Sequence, residues 1–89
     1  MATTPQELAA HLDTVASKSN IHPKIEKGLL DIIAQLRDGE DADGKPINYA
    51  AVRKSALDLA GTAKIYGEGM IRRELQTAAK IIQVFEFTQ

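Results

Sequence analysis

The sequence predicts an all-α protein, a helical hairpin preceded by a short N-terminal helix. Two observations carry this prediction. Apolar residues recur at three- and four-residue spacings from Leu8 to Phe85, which is the period of a helix face. The prolines, Pro5, Pro23 and Pro46, fall where segments begin or join, and none follows Pro46 to interrupt a long helix. With 89 residues, 44% hydrophobic and 26% charged, the composition matches folded proteins, and the chain reads as one domain spanning 1–89.

The first helix is expected over residues 5–17. Thr4-Pro5-Gln6-Glu7 has the capping-box pattern, in which the threonine hydroxyl accepts a backbone N–H and the glutamate reaches back to the cap. Leu8, Leu12 and Val15 then line one face. Ser17, Ser19 and Asn20 weaken the helix ahead of Pro23, so 18–22 reads as a break. A second helix over 23–37 presents Ile25, Leu29, Ile32, Ile33 and Leu36 on one side, and Gly39 is placed to cap its end. Lys27 and Asp31 are spaced to pair across one turn, for about 0.3 kcal/mol.

Residues 38–47 form a polar turn rich in acids. With Gly44 at its sixth position, a calcium-binding EF-hand loop would need an acid at Gly39 and a glutamate at Ala50. Both are missing.

Asn48 caps the next segment, a long or broken helix over 48–87. Tyr49, Val52, Ala56, Leu59, Ala63, Tyr66 and Met70 make one heptad-like stripe, and Ile71, Leu75, Ala78, Ile82 and Phe85 make another, rotated from the first. The slip falls at Gly67-Glu68-Gly69. Unbroken from 48 to 85, the helix would run ~57 Å. Broken there, the chain becomes the alternative architecture, a compact three- or four-helix bundle with a turn at Gly67–Gly69. Ala56, Ala60, Ala63 and Gly67 share a face with little side-chain bulk, suited to close helix packing. The tail from Lys80 to Phe87 is apolar beyond a single stripe and asks to be buried, as a helix or as a short strand over 82–88.

The sequence offers little to catalysis. There is no cysteine, and the histidines, His11 and His22, stand in different segments without metal-ligand spacing. Glu7 and His11 are one turn apart, a spacing typical of surface pairs. No phosphate-binding glycine loop occurs, and the serines have no histidine partner in their own segments. The chain is therefore read as a non-enzyme without cofactor. No stretch approaches the ~20 apolar residues of a membrane span, and the N-terminus lacks a secretion-signal pattern.

Charge divides between the halves. Residues 1–44 carry eight acids and four bases, 4 − 8 = −4, and residues 45–89 carry four acids and seven bases, 7 − 4 = +3. Lys54, Arg72, Arg73 and Lys80 are expected on a polar face. The basic excess is small for a nucleic-acid domain. A helix-turn-helix is also considered, from Ala63 and Gly67 at its turn spacing followed by Arg72 and Arg73, but Arg73 falls where an inward aliphatic residue belongs.

Several short segments, taken in order, resemble one family. They are Met1-Ala2-Thr3 with Leu12-Asp13-Thr14-Val15-Ala16-Ser17-Lys18, Leu36-Arg37-Asp38 leading to Pro46, Ala50-Ala51, and Ala79-Lys80-Ile81-Ile82-Gln83-Val84-Phe85. The chain resembles the needle subunits of bacterial type III secretion systems. That resemblance implies a helical hairpin that polymerises into a hollow extracellular filament for protein export, with no cofactor. Ala56, Ala60, Ala63, Gly67, Ile71, Leu75, Ala78, Ile82 and Phe85 are then the expected contacts between copies or with a partner. The competing expectations are a compact dimeric adaptor or inhibitor that binds another protein, cytoplasmic in that case, and a small nucleic-acid-binding regulator.

Overall fold

The computed structural model describes residues 3–18 and 20–88. Met1 and Ala2 of the N-terminal motif, Ser19 of the break, and Gln89 lie outside the described residues. Four helices follow one another: α1 (Pro5–Lys18), α2 (Pro23–Asp38), α3 (Tyr49–Ile65) and α4 (Gly69–Thr88).

Three of the helices begin at a capping side chain, and α2 ends at a left-handed glycine. At α1 the Thr4 hydroxyl accepts the Glu7 N–H at 3.1 Å, satisfying a donor that has no partner within the helix. At α2 the His22 ring takes that role, its Nδ1 accepting the Lys24 N–H at 3.2 Å ahead of Pro23. Gly39 ends α2 in the left-handed conformation, with φ 69°. Asn48 caps α3 by accepting the Ala51 N–H at 3.2 Å. Between α2 and α3, Asp41 Oδ1 accepts the N–H groups of Asp43 and Lys45 at 2.9 and 3.0 Å. This carboxylate folds its own turn.

The end of α3 decides the architecture. Gly67, at φ 74°, donates its N–H to the Lys64 carbonyl at 3.1 Å, and Glu68 donates to the Ala63 carbonyl at 2.8 Å. These two bonds around a left-handed glycine are a Schellman motif, which closes a helix by satisfying its last carbonyls. The chain then reverses. Arg53 meets Glu86 and Tyr49 packs on Phe85 with ring centroids 5.5 Å apart, so α3 and α4 run antiparallel.

The expected long hairpin is thereby corrected. A helix of about 57 Å cannot fit a molecule measuring 34 × 30 × 21 Å. The radius of gyration, 12.1 Å, is that of a folded globule of this length, about 12 Å. The four helices pack as a four-helix bundle, with α3 against α4 the most extensive contact and α1 against α2 the next. Helix α2 also packs on α3, and α1 touches α4 more lightly. The tail is helical throughout 82–88, so the strand alternative is also set aside.

One core joins all four helices. Leu8, Leu12, Ile25, Leu29, Ile32 and Leu36 from α1 and α2 are buried in the same cluster as Val52, Ala56, Ala60 and Ala63 from α3 and Ile71, Leu75, Ala78, Ile82 and Phe85 from α4. The stripe from Ile71 to Phe85, expected to meet another copy or a partner, is thus covered within one chain. Two antiparallel helices cannot bury both stripes by themselves, but α1 and α2 supply the missing surface. Leu59 crosses from α3 to α2, with a methyl 3.0 Å from where a Cβ on Gly28 would stand. The expected Lys27–Asp31 pair is absent among the described residues; Asp31 instead accepts from Gln35 at 3.1 Å.

Burial separates neighbouring tail positions sharply. Ile82→Asp places a carboxylate in a fully enclosed site and should abolish cooperative thermal unfolding by circular dichroism. Val84→Asp, two residues on and more than half exposed, should melt within about 0.5 kcal/mol of the parent. Gly61 lies inside α3 with open space where a Cβ would project. Gly61→Ala should raise stability by about 0.4–1 kcal/mol, seen as a higher melting temperature.

Candidate functional site

The interface residues expected from the sequence divide in the structure. Ala56, Ala60, Ala63, Ile71, Leu75, Ala78, Ile82 and Phe85 are all sealed inside the single chain. Gly67 is exposed at the α3–α4 turn, apart from the alanine face it was grouped with. Of the expected basic residues, Lys54, Arg73 and Lys80 are exposed, and Arg72 is partly buried.

The outward side of α4 has its own order. Met70, Arg73, Thr77, Lys80, Val84 and Phe87 are all exposed, and their spacing is that of a heptad seam. This second stripe lies opposite the buried one. It is apolar at both ends and cationic between them. Val84 and Phe87 are 57% and 81% exposed, and Met70 is 59% exposed. The spacing is readable in the sequence, but apolar composition alone assigns every large tail residue to a face needing burial.

Beside this stripe a groove runs between α3 and α4, lined by Arg53, Leu57, Gln76, Ala79, Lys80 and Gln83, with a volume of about 410 Å³. Leu57 stands 44% exposed on its α3 wall. Lys54 lies one turn before Leu57, and Gly61, one turn after it, leaves the helix surface bare.

Electrostatics follow from which charges are already paired. Arg53 Nε donates to Glu86 Oε2 at 2.7 Å, closing one end of the groove. Glu74 accepts from His11 Nε2 at 2.6 Å and so faces α1; the Glu7–His11 pairing is replaced by this one. Asp58 lines the separate depression between α2 and α3. Among the described residues, Lys54, Lys64, Arg73 and Lys80 make no salt bridge. The outer α3–α4 face therefore carries uncompensated positive charge around exposed apolar groups.

A second apolar surface sits at the α3–α4 turn. Ile65 is 81% exposed, and the Tyr66 ring stacks on His22 with centroids 4.1 Å apart. Nearby, Glu68 Oε2 is enclosed without a protein partner at the N-terminus of α4, where the helix dipole favours negative charge.

Among the described residues, no group of three or more His, Asp or Glu side chains is placed to hold a metal ion. The depressions of about 270–530 Å³ all open to solvent. Among the described residues, no helix is long and apolar enough to cross a membrane. No protein-family model, curated protein or solved structure matches the chain.

Two side-chain pairs give measurable signatures. The partly buried Arg53–Glu86 pair should show about 1 kcal/mol of coupling in a double-mutant cycle with Arg53→Ala and Glu86→Ala, read by denaturant unfolding. Arg37 donates to Asp38 at 3.0 and 3.3 Å, and this hydrogen bond holds the Asp38 carboxyl below its ordinary range. A lowered folded-state value stabilises above the unfolded carboxyl value, and that contribution disappears as pH falls through the folded one. In an NMR titration the Asp38 carboxyl carbon should show a midpoint below 3.8, returning toward it in Arg37→Gln.

Proposed function

We propose that this chain is a non-enzymatic helical module that binds another protein through the outer face of its α3–α4 hairpin. The observation that carries the reading is the heptad-spaced stripe from Met70 to Phe87, exposed along a helix whose opposite side is fully packed. Large apolar side chains held open on a rigid helix bear a standing solvation cost that a partner removes. The long contact with α3 fixes the stripe in place, so little ordering remains to be done on binding.

Filament formation, implied by the needle-subunit resemblance, has as its physical motive an Ile71-to-Phe85 stripe that other copies are expected to cover. With that stripe covered internally, the motive no longer applies. A discrete binding module accounts for the apolar groups that stay outside. A nucleic-acid regulator is less well supported: antiparallel packing makes α4 one wall of a hairpin, and its exposed cations, Arg73 and Lys80, are flanked by the exposed apolar side chains of Met70, Val84 and Phe87.

The reading is tested by placing a photo-crosslinking side chain at Val84 and, as control, at Lys24, which is exposed on α2. A discrete heterologous protein adduct from position 84 and none from position 24 is expected. Equal adducts from both positions, or none from 84, would contradict it.

A further inference from the structure

We infer that the outer α3–α4 face receives an acidic amphipathic helix from a partner protein, about five turns long, laid along the Met70–Phe87 stripe. This rests on the protein-binding reading above and adds the chemistry of the partner. Three features of the face point to it.

The first is shape. The stripe spans residues 70 to 87 at heptad spacing, about 26 Å of straight helix at 1.5 Å per residue. Groove and stripe lie side by side, since Lys80 belongs to both. Such a surface takes the knobs of a helix at i, i+3, i+4 and i+7.

The second is charge. Lys54 and Lys64 on α3, with Arg73 and Lys80 on α4, make no salt bridge among the described residues. Of the hairpin's four acids, Glu86 pairs with Arg53, Glu74 pairs with His11, Asp58 lines the depression toward α2, and Glu68 sits at the α3–α4 turn with one oxygen enclosed. A partner helix with carboxylates at its middle would meet Arg73 and Lys80, while its apolar ends would cover Met70 at one end and Val84 and Phe87 at the other. Complementary charge of this kind fixes register and orientation.

The third is access. Gly61 has nothing within 4 Å of a Cβ position, so one turn beyond Leu57 the surface of α3 carries no side chain and leaves room for a second helix backbone.

The test uses the full chain, isotopically labelled, and a synthetic helix-forming peptide of about 18 residues. Its binding face has leucines at both ends and glutamates between; matched peptides carry glutamine or lysine instead of glutamate. Amide shifts from the glutamate peptide are expected at Leu57, Thr77, Lys80, Val84 and Phe87. Affinity should fall roughly tenfold or more in the Arg73→Glu/Lys80→Glu variant, whose helix content and melting are checked first. Equal or tighter binding of the glutamine or lysine peptide at the same residues would overturn the acidic partner and leave the protein-binding reading intact. If no peptide perturbs this face, both fail. A DNA duplex that shifts these residues with equal affinity, or a second copy already covering them in light scattering and relaxation data, would also overturn the inference.

Discussion

The structure depends on the absence of side-chain bulk along one face of α3. Ala56, Ala60 and Ala63 are buried where longer side chains would hold the neighbouring helices apart. Their small size lets Ile71, Leu75 and Ile82 from α4 join the same core as Ile25, Leu29 and Ile32 from α2. Close approach multiplies dispersion contacts that are individually weak. Gly28 does on α2 what the alanines do on α3, admitting Leu59 to near contact. A bundle with no cysteine to form a disulfide and this few residues has little stability in reserve, so the small residues must be where they are.

From that packing comes the division of surfaces. One side of α4 is spent on the core, and none of the four helices covers the other. Helix α1 touches α4 only lightly, along the side where His11 meets Glu74. The groove beside Leu57 and the stripe through Lys80 are left over because α4 turns Val84 and Phe87 outward, away from α1 and α2. The face proposed for binding is then a by-product of geometry: an apolar and cationic surface that the packing of the core leaves exposed.

Much of the fold is legible because its signals are local. Thr4, Asn48 and Gly39 announce helix ends by chemistry that acts within four residues, and the core faces of α1 and α2 read directly from leucine and isoleucine spacing. The reversal at Gly67 is ambiguous for a physical reason. Both stripes have helical period, so periodicity alone cannot separate a rotated continuation from a turn. The deciding bonds, from Gly67 to Lys64 and from Glu68 to Ala63, use backbone atoms that any sequence supplies. His22 is not legible as a cap because its ring acts through local geometry, not through a residue preference.

The candidate face is less legible. An apolar stripe in a sequence does not say what covers it. Assigning Ile71, Leu75, Ile82 and Phe85 to an intermolecular contact follows from reading the second half as one long helix of a hairpin; once it breaks at Gly67, α1 and α2 share a core with these residues. Val84 and Phe87 then join the same demand for burial, although their spacing from Lys80 and Met70 places them opposite. The account turns on one chain sealing its own core. The direct measurement is the denaturant midpoint of the purified chain over a hundredfold range of protein concentration. A midpoint that stays constant is the predicted result, because folding then requires no second copy; a midpoint that rises with concentration would contradict it.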